Sequence, residues 1–223
     1  MRYDSLFDLI GHIIIGPSSS HTAGACRIGY IAQKLFGKLP KNAILYLHGS
    51  FAETYRGHHT DIALIGGLLG FLPDDERIRQ SFKLAKERDL TFTFQKRDLG
   101  LNYHPNTTLI ELYDGDKSEK LSVIGSSVGG GNVIIKEING MEAGFNGDLF
   151  TLVCNYNYKD GVNEKIKGIL TEFGLNTLNF HVSINSQKQS ALFWVESDAI
   201  IPSDLIQKLK QISEISMVRG LNV

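Results

Sequence analysis

The spacing of hydrophobic positions changes several times along the chain, and each change predicts an element. In residues 5–15, Leu6, Leu9, Ile10, Ile13 and Ile14 fall on one face of a short helix. The polar stretch GPSSSHT follows. A second helical run then spans about 22–36, with Ala25, Ile28, Ala32 and Leu35 facing inward. NAILYL at 42–47 predicts a strand, HGS and YRGHHTD a connecting segment, and a third helix begins near Thr60. Residues 74–88 read as a charged surface helix. Residues 91–95 and 107–113 place β-branched and aromatic residues at alternate positions, as strands do. Asp114-Gly115 is a turn signal, after which 120–128 can return as the second arm of a hairpin.

Residues 139–148, NGMEAGFNGD, hold three glycines and two asparagines in ten positions and mark a break. Beyond it the predicted order is strand 150–156, helix 162–173, strand 175–184, strand 189–196, helix 202–211 and strand 215–221. That is the β-α-β-β-α-β order of a ferredoxin-like unit. Pro202 suits the first turn of its helix. The expected fold class is therefore α/β (α+β): a mixed α/β domain over 1–140, then a ferredoxin-like domain over 148–223.

Composition narrows the function. The 223 residues are 42% hydrophobic, enough to bury a real core, and the formal net charge is −1. No basic run points to nucleic acid, and no acidic tail to a disordered interactor. The apolar stretch 62–72 is shorter than the ~18 residues of a membrane span. The first fifteen residues carry Asp4, Asp8 and His12 and lack the layout of a signal peptide, which predicts a cytoplasmic protein. The two cysteines, Cys26 and Cys154, show no CxxC spacing. A cubane iron–sulfur cluster takes three or four thiolates, so a cluster used by this protein must be held by another chain.

Four motifs carry candidate chemistry. In Gly16-Pro17-Ser18-Ser19-Ser20-His21-Thr22, three serine hydroxyls lead into a helix that Ser20 or Thr22 can cap. The positive helix end favours an anion such as a substrate carboxylate, and His21 faces the same place. The plainer reading is a serine-rich cap with a solvent-facing histidine. Second come His48-Gly49-Ser50 and Arg56-Gly57-His58-His59-Thr60-Asp61, at the strand-to-helix edge where α/β folds place ligands. An imidazole titrates near ~6.5, which suits proton transfer at neutral pH. Here the plainer readings are loop histidines with Asp61 as a helix cap, or a zinc site of His48, His58, His59 and Asp61. Third, Ser126-Ser127-Val128-Gly129-Gly130-Gly131-Asn132 can turn backbone N–H groups toward an anion or can be a turn between two strands. No helix follows it, so it is not a dinucleotide fingerprint. Fourth, the turn Asn157-Tyr158-Lys159-Asp160-Gly161-Val162 joins the first strand and helix of the C-terminal unit, and Gly161 lets a ligand or backbone approach.

Taken together, GPSSSHTAG, HGS followed by RGHHTD, and SSVGGGN resemble, in order and spacing, the β subunit of the bacterial two-chain iron–sulfur L-serine dehydratases. The C-terminal unit resembles an ACT domain, which in other enzymes often binds amino acids at the strand–helix turn. The resemblance implies an N-terminal serine dehydratase β domain and an α subunit partner that ligates a [4Fe-4S] cluster with one iron open to L-serine. It also implies a chamber, shared with that partner, onto which Ser18, Ser19, Ser20, His21, Thr22, His58, Thr60 and Asp61 look. His48 and the backbone of Gly129, Gly130, Gly131 and Asn132 are further substrate-binding candidates, and Asp160 and Gly161 form the candidate ACT ligand turn. His59 stands where the family has a small residue. On this reading the open iron acts as a Lewis acid on the serine hydroxyl, His21 or His58 removes the Cα proton, and the products are pyruvate and ammonia. The ACT unit is expected to hold a homo-oligomer. Two other functions fit the same residues: a non-catalytic serine-sensing module, or a metal hydrolase built on His48, His58 and His59.

Overall fold

The computed structural model describes residues 18–115, 119–187 and 189–222. The helix expected over 5–15, and Gly16-Pro17 of the first motif, lie outside the described residues. The chain divides into two compact units, 1–139 and 140–223.

The described part of the first unit begins with a wide turn. Ser18 caps it, its Oγ accepting the N–H of His21 at 3.2 Å. The π-helical turn Ser19–Ala23 then runs straight into α1 (Gly24–Phe36), which ends at Gly37 with φ 86°. The cap is thus Ser18, not Ser20 or Thr22, because the wide turn starts the helix earlier than the apolar periodicity shows. β1 (Asn42–His48), α2 (Gly49–Thr54) and α3 (Thr60–Leu68) follow. HGS therefore enters a six-residue helix where a connecting segment was expected; one and a half turns leave no periodic apolar face to read. The helix expected over 74–88 is divided into a 3-10 turn, Glu76–Gln80, and α4 (Ser81–Glu87), the Asp75 side chain capping the former.

Strands β2 (Thr91–Lys96), β3 (Thr107–Tyr113), β4 (Lys120–Gly129) and β5 (Asn132–Ile138) complete the unit. They run in the order β2-β1-β3-β4-β5. β1 and β2 are parallel and joined through α2 to α4, while the other pairs are antiparallel. One face of the sheet is apolar: Ala43, Leu45, Leu47, Ile110, Leu112 and Val123 are all buried. Helix α1 covers that face with Ala25, Ile28, Ala32 and Leu35, all fully buried and all expected inward.

Helices α1 and α3 cross with backbone against backbone. A Cβ added at Gly67 would lie 2.1 Å from the Cys26 carbonyl oxygen and 2.5 Å from the Tyr30 nitrogen. One at Gly29 would lie 2.3 Å from the Leu64 oxygen. Glycine is required at both positions by this approach. Every residue of α3 except Ile62 is buried, which accounts for the apolar run seen in the sequence. Among the described residues no helix is long and apolar enough to cross a membrane.

The second unit contains β6 (Met141–Glu142), β7 (Phe150–Asn157), α5 (Val162–Glu172), β8 (Asn179–Asn185), β9 (Ser190–Ser197), α6 (Ser203–Leu209) and β10 (Ile215–Leu221). From β7 onward the order is β-α-β-β-α-β, and the antiparallel sheet runs β10-β7-β9-β8, a ferredoxin-like arrangement. Cys154, Tyr156, Phe193 and Val218 of the sheet pack on Ile166, Leu170, Leu205 and Leu209 of the two helices. β8 starts at Asn179 rather than 175, because the Leu175 N–H is still bonded to the Leu170 carbonyl at the helix end.

Two glycine substitutions separate packing from propensity. Gly168, on the exposed side of α5, has nothing within 4 Å of an added Cβ. Gly168→Ala is expected to raise stability by ~0.5–1 kcal/mol through helix propensity alone. Gly67→Ala gains the same propensity but must push the α1 and α3 backbones apart, for a net loss of roughly 1–3 kcal/mol. Urea denaturation of both variants checks the pair; a stabilised Gly67→Ala would contradict the crossing.

Candidate active site

The ring of His21 is gripped on both edges by hydroxyls. Its Nδ1 lies 3.1 Å from Ser20 Oγ and 3.4 Å from Ser18 Oγ, and its Nε2 lies 3.0 Å from Ser50 Oγ on α2. The ring of His58 stands edge-on to it at 4.7 Å between centroids, and the buried Phe51 does so at 5.5 Å. Thr22 closes the group from below, its buried hydroxyl donating to the His58 carbonyl at 3.1 Å. Ser19 contributes backbone, its carbonyl accepting the N–H of Gly24. Two helix starts, the π-helical turn before α1 and the segment before α3, thus meet at one place with their positive ends.

The electrostatics favour a neutral imidazole. Burial, and secondarily the charge of a protonated His58, push the His21 pKa below the ordinary value of ~6.5. A neutral ring has one donor and one acceptor nitrogen, and serine hydroxyls can meet either. His21 is therefore set up to receive a proton at neutral pH.

His58 and His59 are distinguished by backbone. His59 sits at φ 59° as the residue before α3, and its side chain is exposed. That left-handed conformation is one a small residue, glycine above all, adopts without strain. It is His58, not His59, whose ring meets His21. Thr60 is fully buried, and its Oγ1 has no hydrogen-bond partner among the described residues. Asp61 is buried too; its Oδ1 accepts the Ile62 N–H at 2.8 Å, and burial pushes its carboxyl pKa up.

Other predicted residues make their contacts elsewhere. The His48 Nδ1 accepts the Leu99 N–H at 3.1 Å, with Asp98 at 3.4 Å, so it holds the segment after β2. Gly129, Gly130, Gly131 and Asn132 form the β4–β5 turn, the three glycines all at positive φ. The Gly131 carbonyl accepts from Arg27 on α1 at 3.3 Å. Nearby in sequence, Ser127 Oγ is fully buried without a partner among the described residues, and a Cβ on Gly24 would come within 2.0 Å of it. In the second unit, Gly161 caps α5 at φ 84°. Asp160 beside it is exposed, and Lys159 is paired with Glu214 at 3.5 Å. Sequence reasoning missed Ser50 and Phe51: HGS was visible, but 29 residues separate Ser50 from His21 and no periodicity links them.

The chain's own thiols do not suit a cluster. Cys26 is buried and donates to the Phe71 carbonyl at 3.3 Å; burial, then Asp75 and Asp74, push its pKa far up. Burial pushes the Cys154 thiol up to about 12. Both remain protonated thiols, one in each unit, whereas cluster ligands are thiolates. Among the described residues no three His, Cys, Asp or Glu side chains gather as a metal site.

The pKa directions predict a titration. By NMR of the chain, His21 should titrate below ~6.5, and His58→Ala should raise its midpoint without bringing it above that value, since burial is the larger cause. A midpoint above ~6.5 in the wild type would contradict the burial of this ring.

Comparison with known proteins shows the family of the chain. The family described as serine dehydratase beta chain matches residues 5–138. A probable L-serine dehydratase beta chain of Bacillus subtilis is 39% identical over 98% of this chain and 98% of its own length. An L-serine dehydratase beta chain of Peptoniphilus asaccharolyticus is 45% identical over 78% of this chain and 79% of its own. L-serine dehydratase 1 of Escherichia coli is 33% identical over 62% of this chain but only 35% of its own length. With the match spanning both clustered motifs and the β4–β5 turn, this chain belongs to the serine dehydratase beta chain family.

Proposed function

We propose that this chain is the β subunit of a cytoplasmic L-serine dehydratase that converts L-serine to pyruvate and ammonia, with a [4Fe-4S] cluster held by an α subunit. The observation that carries the reading is a half-buried histidine, its pKa pushed down by burial, set among serine hydroxyls at the meeting of two helix starts. A serine substrate offers a carboxylate for the hydroxyls and helix ends and a Cα proton for the imidazole. Loss of that proton and of the β-hydroxyl as water leaves aminoacrylate, which tautomerises and hydrolyses to pyruvate and ammonia. In this scheme Ser18, Ser19 and Ser20 bind the carboxylate. Thr22, expected to join them, instead braces the site, its hydroxyl and N–H already donated to the His58 and Ser18 carbonyls. His21 takes the proton, and His58 borders it. The buried hydroxyl of Thr60 is a further donor toward substrate, with Asp61 supporting its helix turn.

The need for a partner has two supports. The thiols of this chain are unsuited to a cluster. The Escherichia coli relative extends far beyond the region matched here, so most of that protein has no counterpart in this chain. We read the second unit as an ACT domain that assembles a homo-oligomer. Its β8 is a sheet edge carrying Phe180 and Ile184 at 57% and 44% exposure, with no lysine or proline to block pairing. Lys159 is already paired with Glu214, so Asp160 leaves the candidate ligand turn unfavourable to a carboxylate, which makes assembly the firmer role.

Co-expression tests the reading. Chain plus α subunit should be brown and produce pyruvate, and the chain alone should be colourless and inactive. A chain that by itself takes up about four irons on anaerobic reconstitution would overturn the division of labour. In the complex, His21→Ala and His58→Ala should each lower turnover ~10²-fold or more, while His59→Gly should retain activity. Ile184→Lys should reduce the oligomeric mass measured by light scattering; an unchanged mass would remove β8 from the assembly.

A further inference from the structure

Ser50 reaches the His21 ring from a separate element, and the fold holds it there firmly. The residue before it, Gly49, has φ 54°, and a Cβ on it would lie 2.7 Å from the Pro105 carbonyl oxygen. The chain can therefore turn from β1 into α2 at this point only through glycine. The Phe51 N–H donates to the same Pro105 oxygen at 3.3 Å. The Thr54 hydroxyl donates to the Ser50 carbonyl at 2.8 Å. The Phe51 ring, fully buried, packs edge-on against the imidazole that Ser50 bonds. Ser50 is thus fixed before and behind, with its Oγ 3.0 Å from His21 Nε2.

The other ring nitrogen, Nδ1, faces Ser20 and Ser18. Which nitrogen carries the proton decides which one can act as base. No carboxylate contacts this ring among the described residues, so the role that an acidic residue plays for many catalytic histidines falls to a hydroxyl. We propose that Ser50 is the positioning residue for His21: its hydroxyl accepts the Nε2 proton and keeps Nδ1 as the unprotonated nitrogen turned toward Ser18 and Ser20. This rests on the reading of those serines as the substrate cradle. Without substrate, the Ser20 hydroxyl donates to Nδ1. When a carboxylate arrives, that hydroxyl turns to it and leaves the Nδ1 lone pair open. A proton taken at Nδ1 gives an imidazolium whose other N–H stays bonded to Ser50.

The test is the tautomer of His21, read by long-range proton–nitrogen NMR on the chain labelled with nitrogen-15, above the titration range of the ring. The wild type should carry its proton on Nε2. Ser50→Ala should lower the ratio of that tautomer to the other about fivefold, the worth of one ordinary hydrogen bond. Ser50→Thr keeps the hydroxyl and should restore the wild-type ratio. In the complex with the α subunit, Ser50→Ala should lower kcat ~10-fold or more with KM for serine little changed, and Ser50→Thr should recover most of the loss. A wild-type proton on Nδ1, or a ratio unmoved in Ser50→Ala, overturns the proposal. The ratio is read without the partner, so it is independent of whether the complex dehydrates serine.

Discussion

The close crossing of α1 on α3 is the constraint from which the candidate site follows. Gly29 and Gly67 let the two helix backbones touch, and no larger residue fits at either position. Because the helices lie so near, the turn that begins α1 and the segment that begins α3 come together, as the Thr22 hydroxyl on the His58 carbonyl records. His21 and His58 are 37 positions apart in sequence and in ring contact because of that crossing. Packing at the middle of two helices thus sets chemistry at their ends.

On the proposed reading, the same geometry sets what this chain contributes to an enzyme divided between two chains. A helix-start cradle with a neutral histidine can bind a carboxylate and accept a proton. It cannot supply thiolates, since its two cysteines are spent as buried, protonated packing groups. On the proposed reading the chain supplies a substrate-facing wall and a partner subunit supplies the cluster.

Much of this was legible in the sequence, and the exceptions have physical causes. Periodicity gave the inward face of α1 and the element order of the second unit, because those elements are long enough to repeat an apolar pattern. The motifs gave Ser18, Ser20, His21 and His58, because residue type and position at helix starts carry that signal. Ser50 was not singled out: α2 has six residues, and its tie to His21 is a tertiary contact across 29 positions. The choice between His58 and His59 could not be made from residue type, since it turns on the φ of 59° at His59. The wide turn before α1 was also hidden, because a π-helical turn has no period of its own within five residues.

The central claim, that this chain provides the group that removes the Cα proton, is tested most directly by an isotope effect. The measurement compares kcat/KM for L-serine and for serine deuterated at Cα, in the complex with wild-type chain and with His21→Gln. Weakening the base should make proton transfer the slowest step, so the isotope effect is expected to grow in His21→Gln while the absorption of the partner's cluster is unchanged. A fall in kcat/KM with no change in the isotope effect would mean that His21 only helps to bind serine, and would contradict its role as the base.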